Sequence, residues 1–157
     1  MSRERARKSL PWIEEGSAAE NARAVLPRLA ERLFAVGRKM VSADATPKGL
    51  HRFRLEVKRF RYELELFQPC YGPALLRRLE QLKELQDHLG AVNDCETTLQ
   101  LLRLRPYREL AERRVLRKEL KALSQTRTQA FISYWNETFD QPDRLRWWTT
   151  YLERYPR

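Results

Sequence analysis

The sequence predicts an all-α fold, an antiparallel four-helix bundle with a short extra C-terminal helix. Apolar residues recur at helical spacing through most of the chain, and no run of alternating apolar and polar residues rivals that pattern. Five glycines and eight prolines among 157 residues argue against a turn-dense β fold, and the prolines divide the chain into helical blocks. Because the links between blocks are short, neighbouring helices are expected to pack antiparallel.

The first helix is predicted over residues 17–41. Ser17 and Glu20 have the spacing of a capping box, in which each side chain accepts a hydrogen bond from the backbone N–H of the other residue. Pro27 interrupts the helical pattern, so it predicts either a kink in this helix or a later start.

The second helix is predicted over residues 47–67. Thr46 can cap its N-terminus, and Pro47 suits its first turn because the backbone N–H that proline lacks would be unpaired there. Residues 68–72 are expected to form a turn before the next helix begins.

The remaining helices follow the later prolines. A third helix is predicted over residues 73–102, and Gly90 inside it indicates close packing or a kink, since glycine costs a helix about 1 kcal/mol relative to alanine. Residues 105–106 separate it from a long fourth helix that ends near Phe139. An aromatic segment over 145–152 is expected to form the short last helix.

The length of the chain predicts one domain. Residues 1–16 lack periodicity and are expected to form a basic flexible arm, whereas residues 17–157 form a single helical domain. The apolar run over residues 10–13 is too short for the core of a signal peptide. No stretch approaches the roughly 18 apolar residues of a membrane span, so no membrane partner is expected.

The charge of the chain points to its partner. Lys and Arg number 31 against 21 Asp and Glu, a formal net charge of +10 with both histidines neutral. Such a charge indicates nucleic acid, an anionic surface or another polyanion as the partner. The two cysteines, Cys70 and Cys95, are too few for a disulfide scaffold and are typical of a reducing, cytoplasmic location.

The second predicted helix carries three distinct faces. At about 100° per residue, its large apolar residues share the flank that should face the core. Those residues are Leu50, Phe53, Val57, Phe60, Leu64 and Phe67. A second stripe, roughly 100° around the helix from this flank, is mostly cationic. Its members are His51, Arg54, Lys58, Arg61 and Tyr62.

The cations of this stripe indicate a bound anion, because like charges at i, i+3 and i, i+4 repel by about 0.2–0.5 kcal/mol per pair. Two alternatives stay open. Carboxylates on another helix could neutralise the stripe. It could also belong to an ordinary solvated face, with pairs such as Glu56 with Arg52 or Arg59.

The first predicted helix carries a second row of cations, Arg28, Arg32 and Lys39, on one face. If the first two helices are adjacent, the two rows would flank one groove. Arg and Lys in such a groove would hold phosphate oxygens by charge-assisted hydrogen bonds, and Arg adds bidentate geometry. His51 would add a donor whose charge rises on acidification.

Two linked motifs in the second and third predicted helices resemble those of the CHAD family, the conserved histidine α-helical domain. The first motif is Leu50-His51-Arg-Phe-Arg54-x-x-x-Lys58-Arg59-x-Arg61-Tyr62-x-x-Glu65-x-Phe67. The second motif is Leu82-x-x-Leu85-Gln86-x-x-Leu89-Gly90-x-x-Asn93-Asp94. The resemblance is strong over roughly residues 48–102 and weak in the flanking helices. It implies an all-helical domain that binds inorganic polyphosphate.

The resemblance also assigns roles to single residues. The family's basic motif is matched by His51, Arg54, Lys58 and Arg61. The aromatic position beside that motif is matched by Tyr62, and a frequently basic position is matched by Lys83. It supports Arg28, Arg32 and Lys39 only loosely. The second motif is matched by Gln86, Asp87, Asn93 and Asp94. Asp94 is interpreted as structural, pairing with a cation of the second helix, because a carboxylate aimed at a phosphate chain would repel it.

The chain departs from the family in length. Family members are usually about twice as long and consist of two similar helical bundles around a basic channel, each with a His-x-x-Arg helix. This chain has one such helix, and it resembles the second half. The resemblance therefore leaves two possibilities, a homodimer that rebuilds the two-bundle channel or a half-formed groove that binds more weakly. The homodimer is the favoured hypothesis.

The predicted function is therefore non-catalytic binding of inorganic polyphosphate, or a similar phosphate-rich polyanion, in a basic helical groove. A nucleic-acid-binding module is the second hypothesis and a helical protein–protein interaction domain is the third. The expected location is the cytoplasm, and association with polyphosphate granules is an expectation from the family alone.

Enzymatic activity is not expected, and no catalytic residue, metal or cofactor is assigned. Asp87-His88 reverses the His-Asp pair of metal-dependent phosphohydrolases, and only one other histidine exists. The phosphate-binding glycine motifs GxxxxGK[ST] and GxGxxG are absent from the sequence. Aromatic residues near the C-terminus are expected to pack in the core or an interface rather than to stack on bases. They are Trp135, Trp147, Trp148, Tyr151 and Tyr155.

Overall fold

The computed structural model of the protein describes residues 10–42 and 45–157, which form six α-helices and no strand. The helices are α1 (Ala18–Ser42), α2 (Pro47–Leu66), α3 (Gln68–Tyr71), α4 (Leu76–Leu101), α5 (Arg113–Tyr134) and α6 (Arg144–Arg154). Two 3₁₀ turns and one π-helical segment complete the fold, namely Pro73–Leu75, Tyr107–Glu109 and Trp135–Phe139.

The four long helices pack in the order α1, α2, α4, α5, and α6 lies against α1. Links of a few residues join α1 to α2 and α2 to α4, so each helix runs antiparallel to the one before it. This arrangement confirms the predicted bundle with a short C-terminal helix. It also places the predicted cation-bearing helix α2 in the middle, between α1 and α4.

Helix α1 begins at the predicted capping box. Glu20 Oε2 accepts a 2.8 Å hydrogen bond from the backbone N–H of Ser17, and Ser17 Oγ accepts one of 3.2 Å from that of Glu20. Pro27 lies buried inside a helix that is continuous from residue 18. The alternative of a later start at Pro27 is therefore wrong.

Helix α2 begins and packs as the sequence predicts. Thr46 Oγ1 accepts a 3.1 Å hydrogen bond from the backbone N–H of Gly49, and Pro47 occupies the first turn. The predicted core flank is buried along its whole length, with every member at most 5% exposed. This burial fixes how α2 is rotated, and so it fixes where the cationic stripe points.

Three details after α2 differ from the predictions. The turn expected over residues 68–72 contains the short helix α3 (Gln68–Tyr71). Helix α4 is continuous through Gly90, where a Cβ would meet Arg54 Nε at an ordinary 3.9 Å, so neither a close packing partner nor a break explains this glycine. Helix α5 begins at Arg113 rather than directly after Pro106. The 3₁₀ turn ends at Leu110, whose extended backbone (ψ 129°) prevents continuation of the helix.

The aromatic residues near the C-terminus close the bundle, as predicted for Trp135 and Trp148, which are both fully buried. The Trp135 ring packs on Phe34 of α1 and Phe53 of α2, at centroid distances of 5.8 and 5.7 Å. Gly37 makes this possible, because a Cβ there would overlap the Trp135 ring.

A bidentate ion pair joins α1 to the residue that follows the π-helical segment. Arg38 Nε and an Arg38 terminal nitrogen donate to the two carboxylate oxygens of Asp140 at 2.7 and 2.8 Å. The hydrogen bond to Asp140 raises the pKa of the Arg38 guanidinium, so this residue is held as a cation.

The first nine residues of the predicted arm (1–16) lie outside the described part of the chain. Ile13 and Gly16 are tied to α1, because the Asn21 side chain donates to both of their carbonyls at 3.0 and 3.2 Å.

Cys70 and Cys95 are buried free thiols. Among the described helices, none is long and apolar enough to cross a membrane.

Candidate anion-binding site

The cationic stripe of α2 faces α4. His51 contacts Asn93, and Arg54 passes over Gly90, so the two helices lie in antiparallel register along this line. Moving one further turn along α2 and one turn back along α4 brings Lys58 opposite Gln86. Another turn brings Arg61 opposite Lys83. We call His51, Arg54, Lys58 and Arg61 the cation row, and the space beside it the α2–α4 cleft.

His51 marks the N-terminal end of the cation row. Its Nδ1 lies 2.7 Å from Asn93 Oδ1. Because an amide oxygen can only accept, Nδ1 carries the proton in this pair, and the contact fixes both the tautomer and the direction of the ring. Nε2, on the opposite edge of the ring, makes no hydrogen bond to the described residues, and it can donate to an anion when the ring carries its second proton.

Arg54 and Arg61 lie partly between the two helices. The Nε atom of each is buried and has no hydrogen-bond acceptor among the described residues. A buried donor without an acceptor costs about 1–3 kcal/mol, and such atoms in native structures call for an explanation such as a bound ion. An anion in the α2–α4 cleft would supply acceptors to these two guanidinium groups.

The cation row is largely unneutralised. Of its four members, Arg61 makes an ion pair, a long one of 3.6 Å from its Nε to Glu65, and the others make none with the described residues. Arg59 on the solvent side of α2 makes a similar i, i+4 pair, with Glu63 at 3.8 Å. Among the described residues, no carboxylate of another helix pairs with the row, and Glu65 of α2 itself offsets part of the charge of Arg61.

Tyr62 lies at the outer edge of the row and is 49% exposed. Lys58 Nζ and Arg61 Cζ lie 5.5 and 5.2 Å from the centre of its ring, within the range of cation–π attraction. The ring thus holds the two cations side by side, which restricts their motion without removing their charge.

The predicted row of α1 does not join this cleft. Arg32 pairs with Glu56 of α2 at 3.1 Å, and Glu56 lies about 160° around α2 from Arg54. Arg28 and Lys39, both exposed, share the α1 face of Arg32 by helical spacing. The expectation that these three cations flank one groove with the α2 stripe is therefore wrong, because the core flank of α2 rotates its cations towards α4.

The α4 side of the cleft carries Lys83, which is exposed and lies on the same helix face as Gln86 and Gly90. Asp87 and Asp94 are exposed at the outer side of this face. The carboxylate of Asp94 makes no ion pair among the described residues, so its expected pairing with an α2 cation is absent. The backbone carbonyl of Asp94 accepts a hydrogen bond from Thr98 Oγ1.

Sequence reasoning missed what Asn93 does for the site. Asn93 contacts His51, and one turn away Gly90 lies opposite Arg54. A usable signal was present, since the His-x-x-Arg and Gly-x-x-Asn motifs have equal spacing and so can face each other residue by residue across an antiparallel helix pair.

The described residues contain no group of three or more His, Cys, Asp or Glu side chains placed to hold a metal ion. Arg54, Lys58 and Arg61 give the α2–α4 cleft hydrogen-bond donors and positive charge, and the exposed carboxylates of Asp87 and Asp94 lie at its outer side.

The chain is similar to a known protein family. The family model described as CHAD domain matches residues 3–103 of the 157-residue chain. The chain belongs to the CHAD domain family. The match includes α1, α2 and α4 and both motifs, whereas α5 and α6 lie beyond it. No curated protein and no solved structure matches the chain significantly.

Proposed function

We propose that this protein binds inorganic polyphosphate, or a similar phosphate-rich polyanion, along the cation row and Lys83 without breaking or making a bond. The observation that carries the proposal is the alignment of the cation row along one cleft, with a single long carboxylate contact among the described residues. Membership of the CHAD domain family supports it through the resemblance set out above.

Binding would work by neutralisation. Phosphate groups entering the cleft replace the small ions that surround both partners, and release of those ions supplies much of the affinity. Arg54 and Arg61 offer planar forks that match phosphate oxygens, while Lys58 acts as a point charge. The row is preorganised, because the buried flank of α2 and the ring of Tyr62 hold its members in line.

Two double variants of α2 test this proposal. Arg54→Ala/Lys58→Ala removes two cations from the cleft, and Arg52→Ala/Arg59→Ala removes two from the solvent side of the same helix. We expect the first variant to bind polyphosphate about tenfold or more weakly and the second to bind nearly as the wild type. Both should fold, because none of these side chains belongs to the core. Equal affinity losses in the two variants would contradict a specific cleft.

Competition separates the proposal from nucleic-acid binding. Excess RNA or DNA should fail to displace polyphosphate, because the cleft carries cations but few exposed rings for base stacking. Of the rings near the C-terminus, Trp148 is fully buried, and the guanidinium of Arg78 lies 3.5 Å from the ring centre of Trp147. Tyr155 contacts Tyr151 but is 55% exposed, so the expectation that it packs in the core is wrong. Displacement of polyphosphate by nucleic acid would favour the second hypothesis.

We also propose that two copies of the chain enclose the polyanion. Leu55, Tyr62 and Leu66 form an exposed apolar line on α2 directly beside the cation row, and they are 47%, 49% and 70% exposed. A second copy would cover this line and supply cations to the open side of the cleft. Polyphosphate would offset the repulsion between the two positively charged rows.

Light scattering tests the dimer. We expect a dimer with polyphosphate present, and Leu55→Ser/Leu66→Ser should shift the protein towards the monomer. A monomer at all concentrations, with and without polyphosphate, would rule the dimer out.

The two buried free thiols suit a reducing compartment, so the proposed location is the cytoplasm, with polyphosphate granules as its place of association.

A further inference from the structure

The hairpin between α4 and α5 carries a second concentration of positive charge. Residues 103–121, which we call the hairpin tip, contain eight Lys and Arg against three Glu. Their formal net charge of +5 is half of the +10 of the whole chain. All but the first of these residues, Arg103, lie beyond the CHAD domain match, so seven of the eight cations fall outside it.

The cations of the hairpin tip converge on a cavity. It has a volume of about 640 Å³ and lies between the loop before α5 and the first turns of that helix. Six of its eight lining residues are cationic and none is acidic. The six are Arg108, Arg113, Arg114, Arg117, Lys118 and Lys121.

No carboxylate of the described chain makes an ion pair with any of these six side chains. The three glutamates of the tip, Glu109, Glu112 and Glu119, do not line the cavity. Arg113 Nε donates a 2.6 Å hydrogen bond to the carbonyl of Leu102, which fixes this guanidinium at the base of the cavity. The positive charge is therefore concentrated and open to an outside anion.

Helix stability does not explain the cluster. The cations of α5 include like-charged neighbours four residues apart, such as Arg113 with Arg117 and Arg114 with Lys118, and each such pair destabilises a helix. Core packing does not explain it either, because no residue of α5 before Ser124 is buried. The cluster costs stability, and among the described contacts the hydrogen bond of Arg113 to Leu102 offsets only part of that cost.

The cavity is separate from the α2–α4 cleft. His51, at one end of the cation row, contacts Asn93 of α4, and α4 continues to Leu101, about 12 Å further along its axis. The hairpin tip begins beyond that point. A small anion in one site would therefore not touch the other.

We propose that the hairpin tip is a second, independent binding site for an oligophosphate or a stretch of phosphate chain. Six cations in so small a volume require a ligand with several negative charges close together, which condensed phosphate provides. The four arginines suit phosphate because a guanidinium can bond two of its oxygens at once. This inference does not depend on the proposed role of the cation row.

Tripolyphosphate is a suitable probe, because it is multiply charged yet too short to bridge the two sites. Calorimetry would use the full chain carrying Arg54→Ala/Lys58→Ala, so that the cation row is silenced. In this background we expect tripolyphosphate to bind, and Arg114→Gln/Arg117→Gln/Lys118→Gln to weaken it by about tenfold or more. A triple with the same loss of charge at the other end of the bundle, Arg23→Gln/Arg77→Gln/Arg154→Gln, should change it less than about twofold.

Three outcomes would overturn the inference. They are equal losses in the tip and control triples, no tripolyphosphate binding once the cation row is silenced, and binding to vesicles of anionic lipid without any binding of tripolyphosphate. If the background variant binds as tightly as the wild type and the tip triple abolishes all binding, the tip site stands and the proposal for the cation row fails. Circular dichroism melting of each triple verifies that its helices remain folded.

Discussion

Gly37 and Gly90 both lie inside long helices, but only at Gly37 would an added Cβ clash with a neighbouring side chain. At Gly37 a Cβ would overlap the buried ring of Trp135, so the glycine is required by close packing. At Gly90 a Cβ would meet only Arg54 Nε, at 3.9 Å, and this separation is ordinary contact. The sequence pattern marks Gly90 as the unusual glycine, whereas the structure marks Gly37.

Alanine substitutions distinguish these two positions. Gly37→Ala should lower the free energy of unfolding by about 1–3 kcal/mol, because the Trp135 ring must shift within a filled core. Gly90→Ala should raise it by about 0.5–1 kcal/mol, since alanine favours the helix and no close neighbour opposes its Cβ. Urea unfolding measures both, and a loss of stability in Gly90→Ala as large as that in Gly37→Ala would show that the α2–α4 contact is tighter than described.

Side-chain partners were predictable only where a motif fixed them. The capping pair of Ser17 and Glu20 is local, so spacing alone identifies it. The pairing of Arg32 with Glu56 depends on how α1 is rotated against α2, and a single sequence does not fix that rotation. For this reason the cations of α1 were assigned to the wrong groove.

At the level of elements, the N-terminus of α1 contains a titratable cap. Hydrogen bonds from the backbone and side chain of Ser17 lower the pKa of Glu20 below its ordinary 4.5. A lowered pKa in the folded state means that the ionised form stabilises α1. This stabilisation is present above pH 4.5 and is lost as the pH falls through the lowered pKa.

Glu20→Gln removes this titration while retaining an acceptor for the cap. We expect the melting temperature of the wild type to exceed that of the variant most at about pH 6, and the difference to shrink towards about pH 3. Thermal melts followed by circular dichroism would show it. A difference that stays constant over this range would mean that the Glu20 carboxylate does not ionise as part of the cap.

The boundaries of the helices were predicted well where capping residues mark them and less well where a loop intervenes. Thr46 and Pro47 locate the start of α2 to the residue. The predicted start of α5 is too early, because the residues of the 3₁₀ turn over Tyr107–Glu109 are types that also occur in α-helices. The turn ends at the extended backbone of Leu110. A conformation of that kind leaves no mark in the apolar pattern.

For the whole molecule, burial of one flank of α2 determines where the cations point. The sequence correctly places that flank in the core, and the cation row follows from it at about 100°. What the sequence could not supply was the identity of the facing helix, which proved to be α4. The same limit hid the cavity at the hairpin tip, because its cations come from both the loop and α5.

The central claim is that members of the cation row contact the phosphates of a bound polyanion, and the salt dependence of polyphosphate affinity tests it most directly. Each phosphate contact releases counterions, so its loss lowers the slope of log affinity against log salt. For Arg54→Ala/Lys58→Ala we expect a slope shallower than that of the wild type by about 2, and for Arg52→Ala/Arg59→Ala an unchanged slope. Equal slopes in all three proteins would contradict the claim.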